Sequence, residues 1–444
     1  MHFIQHLALT FGNHGVWRVA YYVVVLFGLN LSVWGLIGLL RWVLELLGKI
    51  SIFRKLFSAV YVRNPLRLQL QKEQVAVLLP AYNEELVIAK SLASLLAIVP
   101  AENIYVVSDG SKDNTADISR SLGVNVLELP NQGKAGALKD AIEYFELADR
   151  YVGVLFVDAD TIISPDYLTY ALPYLEDSRV AAVAGFARTL WQPEKASFSE
   201  LFILAHRERV YLLAQYLLKY AQAWLPLSLT PIIPGFCSLY RASILKNIDI
   251  AATGLVIEDY NMTFEIHHNK LGKIILDTRV YGNTQDPHSL GDYYKQVRRW
   301  HLGLWQTIKR HGFWPSLFSL ALLIYIAEVV LAALSLLILP FAVIFVVYIA
   351  LIGSGSVAPW LGNIYDILTG PYNVFKFILV IFALDYGVSL IVGLLLRRPQ
   401  YIWYGLGFLF MKYIDAWTFL VAFPRAFFEH STGAWKSPAR RHIG

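Results

Sequence analysis

Val152-Gly153-Val154-Leu155-Phe156-Val157-Asp158-Ala159-Asp160 is a short apolar, β-branched run that stops on two carboxylates. A run of this length reads as a buried strand, Val152–Val157, with acids at its carboxyl end. Three similar runs precede it, at Val75–Leu79, Ile104–Val107 and Val124–Leu127, separated by helical patterns at Glu84–Ile98, Asn114–Leu122 and Lys134–Leu147. Asn83 before Glu84-Glu85 reads as an N-cap with acids in the first turn. The alternation predicts an α/β fold with a Rossmann-like, mostly parallel sheet and right-handed crossovers. Ligands of such sheets bind outside the carboxyl ends of the strands. Pro80-Ala81-Tyr82-Asn83, Ser108-Asp109-Gly110 and Asp158-Ala159-Asp160 all fall at those ends, so one crevice collects them.

Outward from this core the composition changes. Of 444 residues, 56% are hydrophobic and 16% charged, against roughly a quarter charged in soluble proteins. The acids and turn residues concentrate in the middle of the chain, and both flanks are apolar. Val16 to about Leu40 is long enough to cross a hydrocarbon core, which needs roughly 20 residues. Arg41, Arg54 and Lys55 beyond it place that side in the cytoplasm and the N-terminus outside. The expected organisation is an N-terminal anchor at 1–50, an interfacial segment at 51–73 and an α/β domain at 74–288. An interfacial helix at 289–315, three or four transmembrane helices within 316–424 and a basic tail at 425–444 follow. The first C-terminal apolar block, 317–353, fits one tilted helix or two short ones turning at Pro340. Lys412 and Asp415 in the last block predict burial against protein.

Charge and cysteine content exclude several classes. The single Cys237 rules out an internal disulfide framework and a cysteine-based zinc site. The net charge of +5 is modest, and the basic residues Arg63, Arg67, Arg397, Arg398, Arg440 and Arg441 sit at membrane edges. That pattern fits anionic membrane lipids and argues against nucleic acid as a partner.

The residues that carry chemistry lie at the predicted strand ends and on two helices. Asp158 and Asp160 can share a hard divalent cation that neutralises a diphosphate; the plainer reading is a pair of capping acids. Asp109 can accept from a base imide N–H, or simply form a turn. Asn131-Gln132-Gly133-Lys134 opens a helix and can offer backbone N–H groups and one ammonium to an anion. Glu258-Asp259 either caps a helix or supplies Asp259 as a general base for an acceptor hydroxyl. Gln296, Arg299 and Trp300 fall at i, i+3 and i+4 on a predicted helix from about Leu290 to Arg310, and so share a face. Arg299 suits a departing diphosphate and Trp300 a sugar ring.

Taken in order, Pro80-Ala81-Tyr82-Asn83-Glu84, Asp109-Gly110, Gly133-Lys134-Ala135, Asp158-x-Asp160, Glu258-Asp259 and Gln296-x-x-Arg299-Trp300 resemble the membrane-integrated family 2 glycosyltransferases, the hyaluronan, chitin, cellulose and poly-β-N-acetylglucosamine synthases. The similarity runs from about Val75 to Gly312. The resemblance implies a GT-A-type cytosolic domain and inverting transfer from a UDP-sugar. By it, Ala81, Tyr82, Glu84, Asp109, Lys134, Asp158 and Asp160 would bind the nucleotide sugar, with Asp109 on uracil and Asp160 holding Mg2+ or Mn2+. Asp259 would be the base, and Glu258, Gln296, Arg299 and Trp300 would frame the diphosphate and acceptor. Ile257 stands where many relatives carry Thr, and Pro234-Gly235-Phe236-Cys237-Ser238 only partly matches the cellulose-type acceptor segment.

The resulting expectation is an integral plasma-membrane enzyme with its catalytic domain in the cytoplasm. It extends a β-linked polysaccharide and passes it through its own helices, with room for an accessory export subunit. A single transfer to a lipid such as diacylglycerol uses the same residues. A transporter or receptor with a nucleotide-binding domain is disfavoured by the small number of spans and by the expected lack of paired intramembrane charges.

Overall fold

The computed structural model of the protein describes residues 15–47, 69–370 and 373–429. The expected interfacial residues 51–68, with Arg54, Lys55, Arg63 and Arg67, lie outside the described residues, as does the tail bearing Arg440 and Arg441. Helix α1 (Gly15–Leu47) precedes the α/β domain. The four expected strands are β1 (Val75–Ala81), β2 (Ile104–Asp109), β3 (Asn125–Leu129) and β4 (Gly153–Val157). They are joined by α2 (Ile88–Leu96), α3 (Thr115–Ser121) and α4 (Lys134–Tyr144). Then come β5 (Ile162–Ile163), α5 (Tyr167–Leu175), β6 (Val180–Thr189), α6 (Phe198–Leu213), β7 (Cys237–Arg241), α7 (Glu258–His268), β8 (Lys273–Thr284) and α8 (Leu290–His311).

These strands form one mixed, mostly parallel sheet, ordered β3-β2-β1-β4-β7-β6-β8-β5. Strand β1 buries both faces, which is why its sequence is an unbroken apolar run. Val75, Val77 and Leu79 pack with Ile88, Leu92 and Leu95 of α2, while Ala76 and Leu78 pack with Ala137, Leu138 and Ala141 of α4. β7 runs antiparallel to β4, with Cys237 opposite Val157. Its first residues therefore lie at the edge where β1, β2 and β4 end, and Asp158 donates its N–H to the Phe236 carbonyl at 3.1 Å.

Asn83 does not cap the following helix, which begins at Ile88. Asn83 takes a left-handed conformation, φ 54°, and its side chain accepts the Lys112 N–H at 2.8 Å. The amides of Asn83, Glu84 and Glu85 donate to Ser111, Thr115 and Asp113. Side chains of the β2–α3 link and of the first residue of α3 thus satisfy the donors that an earlier helix start would leave open. α4 likewise stops at Tyr144, where Glu146 turns left-handed at φ 55°.

Beyond the sheet lie α9 (Leu317–Ile352), α10 (Pro359–Thr369), α11 (Val374–Leu395) and α12 (Phe408–Phe428). Among the described residues four stretches are long and apolar enough to cross a membrane: Gly28–Leu47, Leu317–Ile352, Pro359–Leu395 and Tyr401–Phe428. α9 runs as one helix through Pro340. The expectation of no paired charges in these stretches is corrected. Asp385 of α11 pairs with Lys412 of α12 and with Arg209 of α6, and Asp415 accepts from the Tyr293 hydroxyl at 2.7 Å. Unpaired charge in hydrocarbon is costly, so these pairs tie the apolar helices to α6 and α8.

Candidate active site

The carboxyl ends of β1, β2 and β4 converge on a charged cluster. Asp109, the last residue of β2, is fully buried. Its two oxygens accept the N–H groups of Gln132 at 2.9 Å and Gly133 at 2.8 Å. Burial pushes its carboxyl above the usual range against the pull of those two donors. The turn before α4 therefore gives two of its backbone donors to Asp109 and holds Lys134, the first helical residue, in place. Lys134 Nζ then reaches Asp158 Oδ1 at 2.8 Å and Glu258 Oε1 at 2.9 Å. Burial alone would depress the ammonium, but Asp158, then Glu258 and Asp259, hold it well above its ordinary value.

Glu258 and Asp259 open α7, and their environments drive them apart. Burial disfavours the Glu258 carboxylate, yet Lys134, with a smaller contribution from Arg299, keeps it below the usual carboxylate range. Asp259 is pushed up to about 7, first by burial and then by the charge of Glu258. Its Oδ2 accepts the Gly235 N–H at 2.8 Å. A Cβ on Gly235 would fall 2.2 Å from Asp259 Oδ1, so only glycine permits this approach. Two adjacent carboxyls with opposed shifts are able to divide a role between them, one held as a charge and one able to take a proton. Lys219 also feels the charge of Asp259, and burial lowers it to about 8.

Helix α8 closes the site. Gly303 allows α8 to meet the start of α7, since a Cβ there would lie 3.0 Å from the Ile257 Cβ. Gln306 accepts the Val256 N–H at 3.0 Å and fixes the same crossing. Arg299 is thereby brought into electrostatic reach of Glu258. Arg298, the neighbouring arginine, turns away and pairs with Glu429 at 2.7 Å. The indole of Trp300 lies under the Arg207 guanidinium, 4.4 Å from its ring centroid, and the Gln296 Oε1 is buried without a hydrogen-bond partner among the described residues. Ala81 is buried at the end of β1, Tyr82 is half-buried beyond it, and Glu84 is fully buried in the following turn. Arg207 and Lys219 went unnoticed in the sequence and carry no local signal there; Gly235 was noticed only as part of Pro234-Gly235-Phe236-Cys237-Ser238, without its contact to Asp259.

A divalent cation would have Asp160, 4% exposed, and Asp158 as its protein ligands. Among the described residues no group of three or more His, Cys, Asp or Glu side chains is arranged to hold a metal alone. A small hard cation that is shared between one or two carboxylates and substrate phosphates suits this donor set.

Residues 76–249 match the family profile described as Glycosyl transferase family 2. Poly-beta-1,6-N-acetyl-D-glucosamine synthase of Staphylococcus epidermidis (strain ATCC 35984) is 29% identical over 265 residues, 58% of this chain and 60% of that protein. The uncharacterized glycosyltransferase YaiP of Escherichia coli (strain K12) is 27% identical over 249 residues, 54% of this chain and 59% of that one. The chain thus spans about 60% of the length of the curated relatives it matches. Among solved structures, the mannosyltransferase PcManGT from Pyrobaculum calidifontis, in complex with GDP-Man and Mn2+, aligns with a TM-score of 0.47 and 15% identity, over 90% of this chain and 99% of that one. The stretch matched by the family 2 glycosyltransferase profile, residues 76–249, holds Asp109, Lys134, Asp158 and Asp160, and Glu258, Asp259, Gln296, Arg299 and Trp300 lie beyond it.

Proposed function

We propose that the protein is an inverting glycosyltransferase of the plasma membrane, extending a β-linked polysaccharide from a UDP-sugar at the cytoplasmic face. N-acetylglucosamine is the sugar this reading favours, from the names of the synthases that it resembles. The observation that carries it is the Glu258–Asp259 pair: a carboxyl at about 7 beside one held ionised, at the strand ends and against α8.

In this reading the donor lies along the ends of β1, β2 and β4, with Ala81, Tyr82, Glu84 and Asp109 around the nucleotide. Asp158 and Asp160 would hold Mg2+ or Mn2+, and such a cation would neutralise the diphosphate. Asp259 takes the proton of the acceptor hydroxyl as that oxygen forms its bond to the anomeric carbon, and the bond from that carbon to the diphosphate oxygen breaks. UDP leaves with the electron pair, its charge met by Arg299 and Lys134. One displacement on the face opposite the leaving group inverts the anomeric centre, and it needs one base where a hydrolase needs two carboxyls. Glu258 stays charged, and with Gln296 and Trp300 frames the acceptor. The apolar helices keep the growing chain at the membrane, where export through them or through an accessory subunit follows.

The test is to incubate membranes containing the full chain with labelled UDP-N-acetylglucosamine and other UDP-sugars, then size the labelled product. A polymer is expected. A lipid-extractable monoglycoside would replace polymer synthesis with single transfer, and no transfer from any UDP-sugar would overturn the reading.

A further inference from the structure

Arg207 lies outside every motif of the site, yet it is 1% exposed and among the largest fully buried side chains. It projects from α6. Its Nε donates to Asp286 Oδ1 at 3.2 Å and its Nη2 to the Tyr211 hydroxyl at 2.6 Å. That hydroxyl donates in turn to Asp286 Oδ1 at 3.0 Å. The guanidinium carbon sits 4.4 Å from the Trp300 ring centroid, 4.6 Å from Tyr211 and 5.8 Å from Tyr293. Asp286, 4% exposed, belongs to the short link between β8 and α8. One cation therefore ties together α6, the β8–α8 link and the helix that bears Trp300.

Burying an ion pair is a poor route to stability, since well-packed apolar side chains of the same volume serve at least as well. The guanidinium does something an apolar side chain does not. It is planar, it stacks on an aromatic face, and its fork is fixed by Asp286 and Tyr211. One face of the half-buried Trp300 indole is thereby covered by the guanidinium, and the ligand is taken to meet the other. A pyranose ring presents C–H groups to such a face.

We propose that Arg207, braced by Asp286 and Tyr211, is a positioning residue that presents Trp300 to the acceptor sugar. This rests on the reading of Trp300 as part of the acceptor site. Arg207 touches no reacting atom and acts only through the indole. Its loss lets the indole tilt, so acceptor binding weakens while the nucleotide pocket at the strand ends is untouched.

The test uses full-length protein in membranes or detergent, UDP-N-acetylglucosamine as donor and a β-1,6-linked N-acetylglucosamine pentamer as acceptor. Arg207→Met is expected to raise the acceptor KM at least tenfold. Arg207→Lys is expected to rescue little of this, because an ammonium cannot stack as a plane. In a double-mutant cycle with Trp300→Phe, the two effects should fall short of multiplying, since both act through one contact. UDP affinity, measured on the same preparations, reports that each variant is folded, and Arg207→Lys decides if Arg207→Met does not fold. An acceptor KM within twofold of wild type, or effects that multiply fully, would overturn the proposal. If wild-type protein transfers no sugar at all, the functional reading fails instead.

Discussion

The Gly235 N–H donates to Asp259 Oδ2 at 2.8 Å, and a methyl on Gly235 would stand 2.2 Å from the other oxygen of the same carboxyl. The Asp259 carboxyl, the proposed base, is held by a backbone donor that only a residue without a side chain can bring so close. Gly235→Ala should therefore move Asp259 without altering its chemistry. Misplacing a catalytic group by an ångström costs about a hundredfold in rate, and that is the expected loss of transfer, with UDP binding retained. Equal loss of both in a titration of UDP and a transfer assay would mean that the loop, rather than the base, had been disturbed.

Asp259→Asn keeps the acceptor for the Gly235 N–H and removes the proposed base. Transfer should fall by roughly 10²–10⁴-fold, while UDP affinity stays near wild type. Transfer at the wild-type rate would remove Asp259 from the mechanism.

The pH dependence follows from the same carboxyl. Asp259 must be ionised to take a proton, so kcat/KM should rise with pH and level off above about 7. Stability should run the other way. The folded value lies above the ordinary aspartate value, so the folded state binds the extra proton, and this contribution is lost as pH rises from about 4 through about 7. Thermal unfolding of wild type and Asp259→Asn across pH 5.5 to about 8 should show the variant gaining relative stability toward higher pH. A constant difference would contradict the raised value.

Lys134→Met leaves Asp158 and Glu258 without their shared cation. Removing one partner of a buried pair typically costs 3–5 kcal/mol, so a loss of about that size is expected, reduced by the partial exposure of Asp158. Because Lys134 also lowers Asp259, the acid limb of the rate profile should move to higher pH in whatever protein folds. An unmoved limb would separate Lys134 from the base.

Chelation of divalent cations should abolish transfer, and added Mg2+ or Mn2+ should restore it. Asp160→Asn should need a higher concentration of either ion for half-maximal rate, by about tenfold or more. Full activity in chelator would exclude a cation-assisted leaving group.

Much of the architecture was legible before any coordinates. Runs such as Val75–Leu79 and Val152–Val157 are apolar because both sheet faces are covered, and that local signal survives without knowledge of neighbours. The strand-end acids were legible for the same reason. The start of α2 was not, because the amides of Glu84 and Glu85 bond to Thr115 and Asp113 in the next loop. Antiparallel β7 was equally silent: nothing in Cys237–Arg241 states the direction of its partner.

Periodicity and the order of motifs were enough to establish the α/β class, the apolar flanks and the carboxylates at the strand ends, since each is a property of residues close together in the chain. Which charges meet was decided only by sheet order and helix crossing. Lys134 bridges Asp158 and Glu258 because β4 lies between β1 and β7. Asp109 steadies the turn before α4, and Arg207 reaches Trp300 across α6 and α8. Pairings between residues far apart in sequence depend on packing, and packing leaves no period for a single sequence to display.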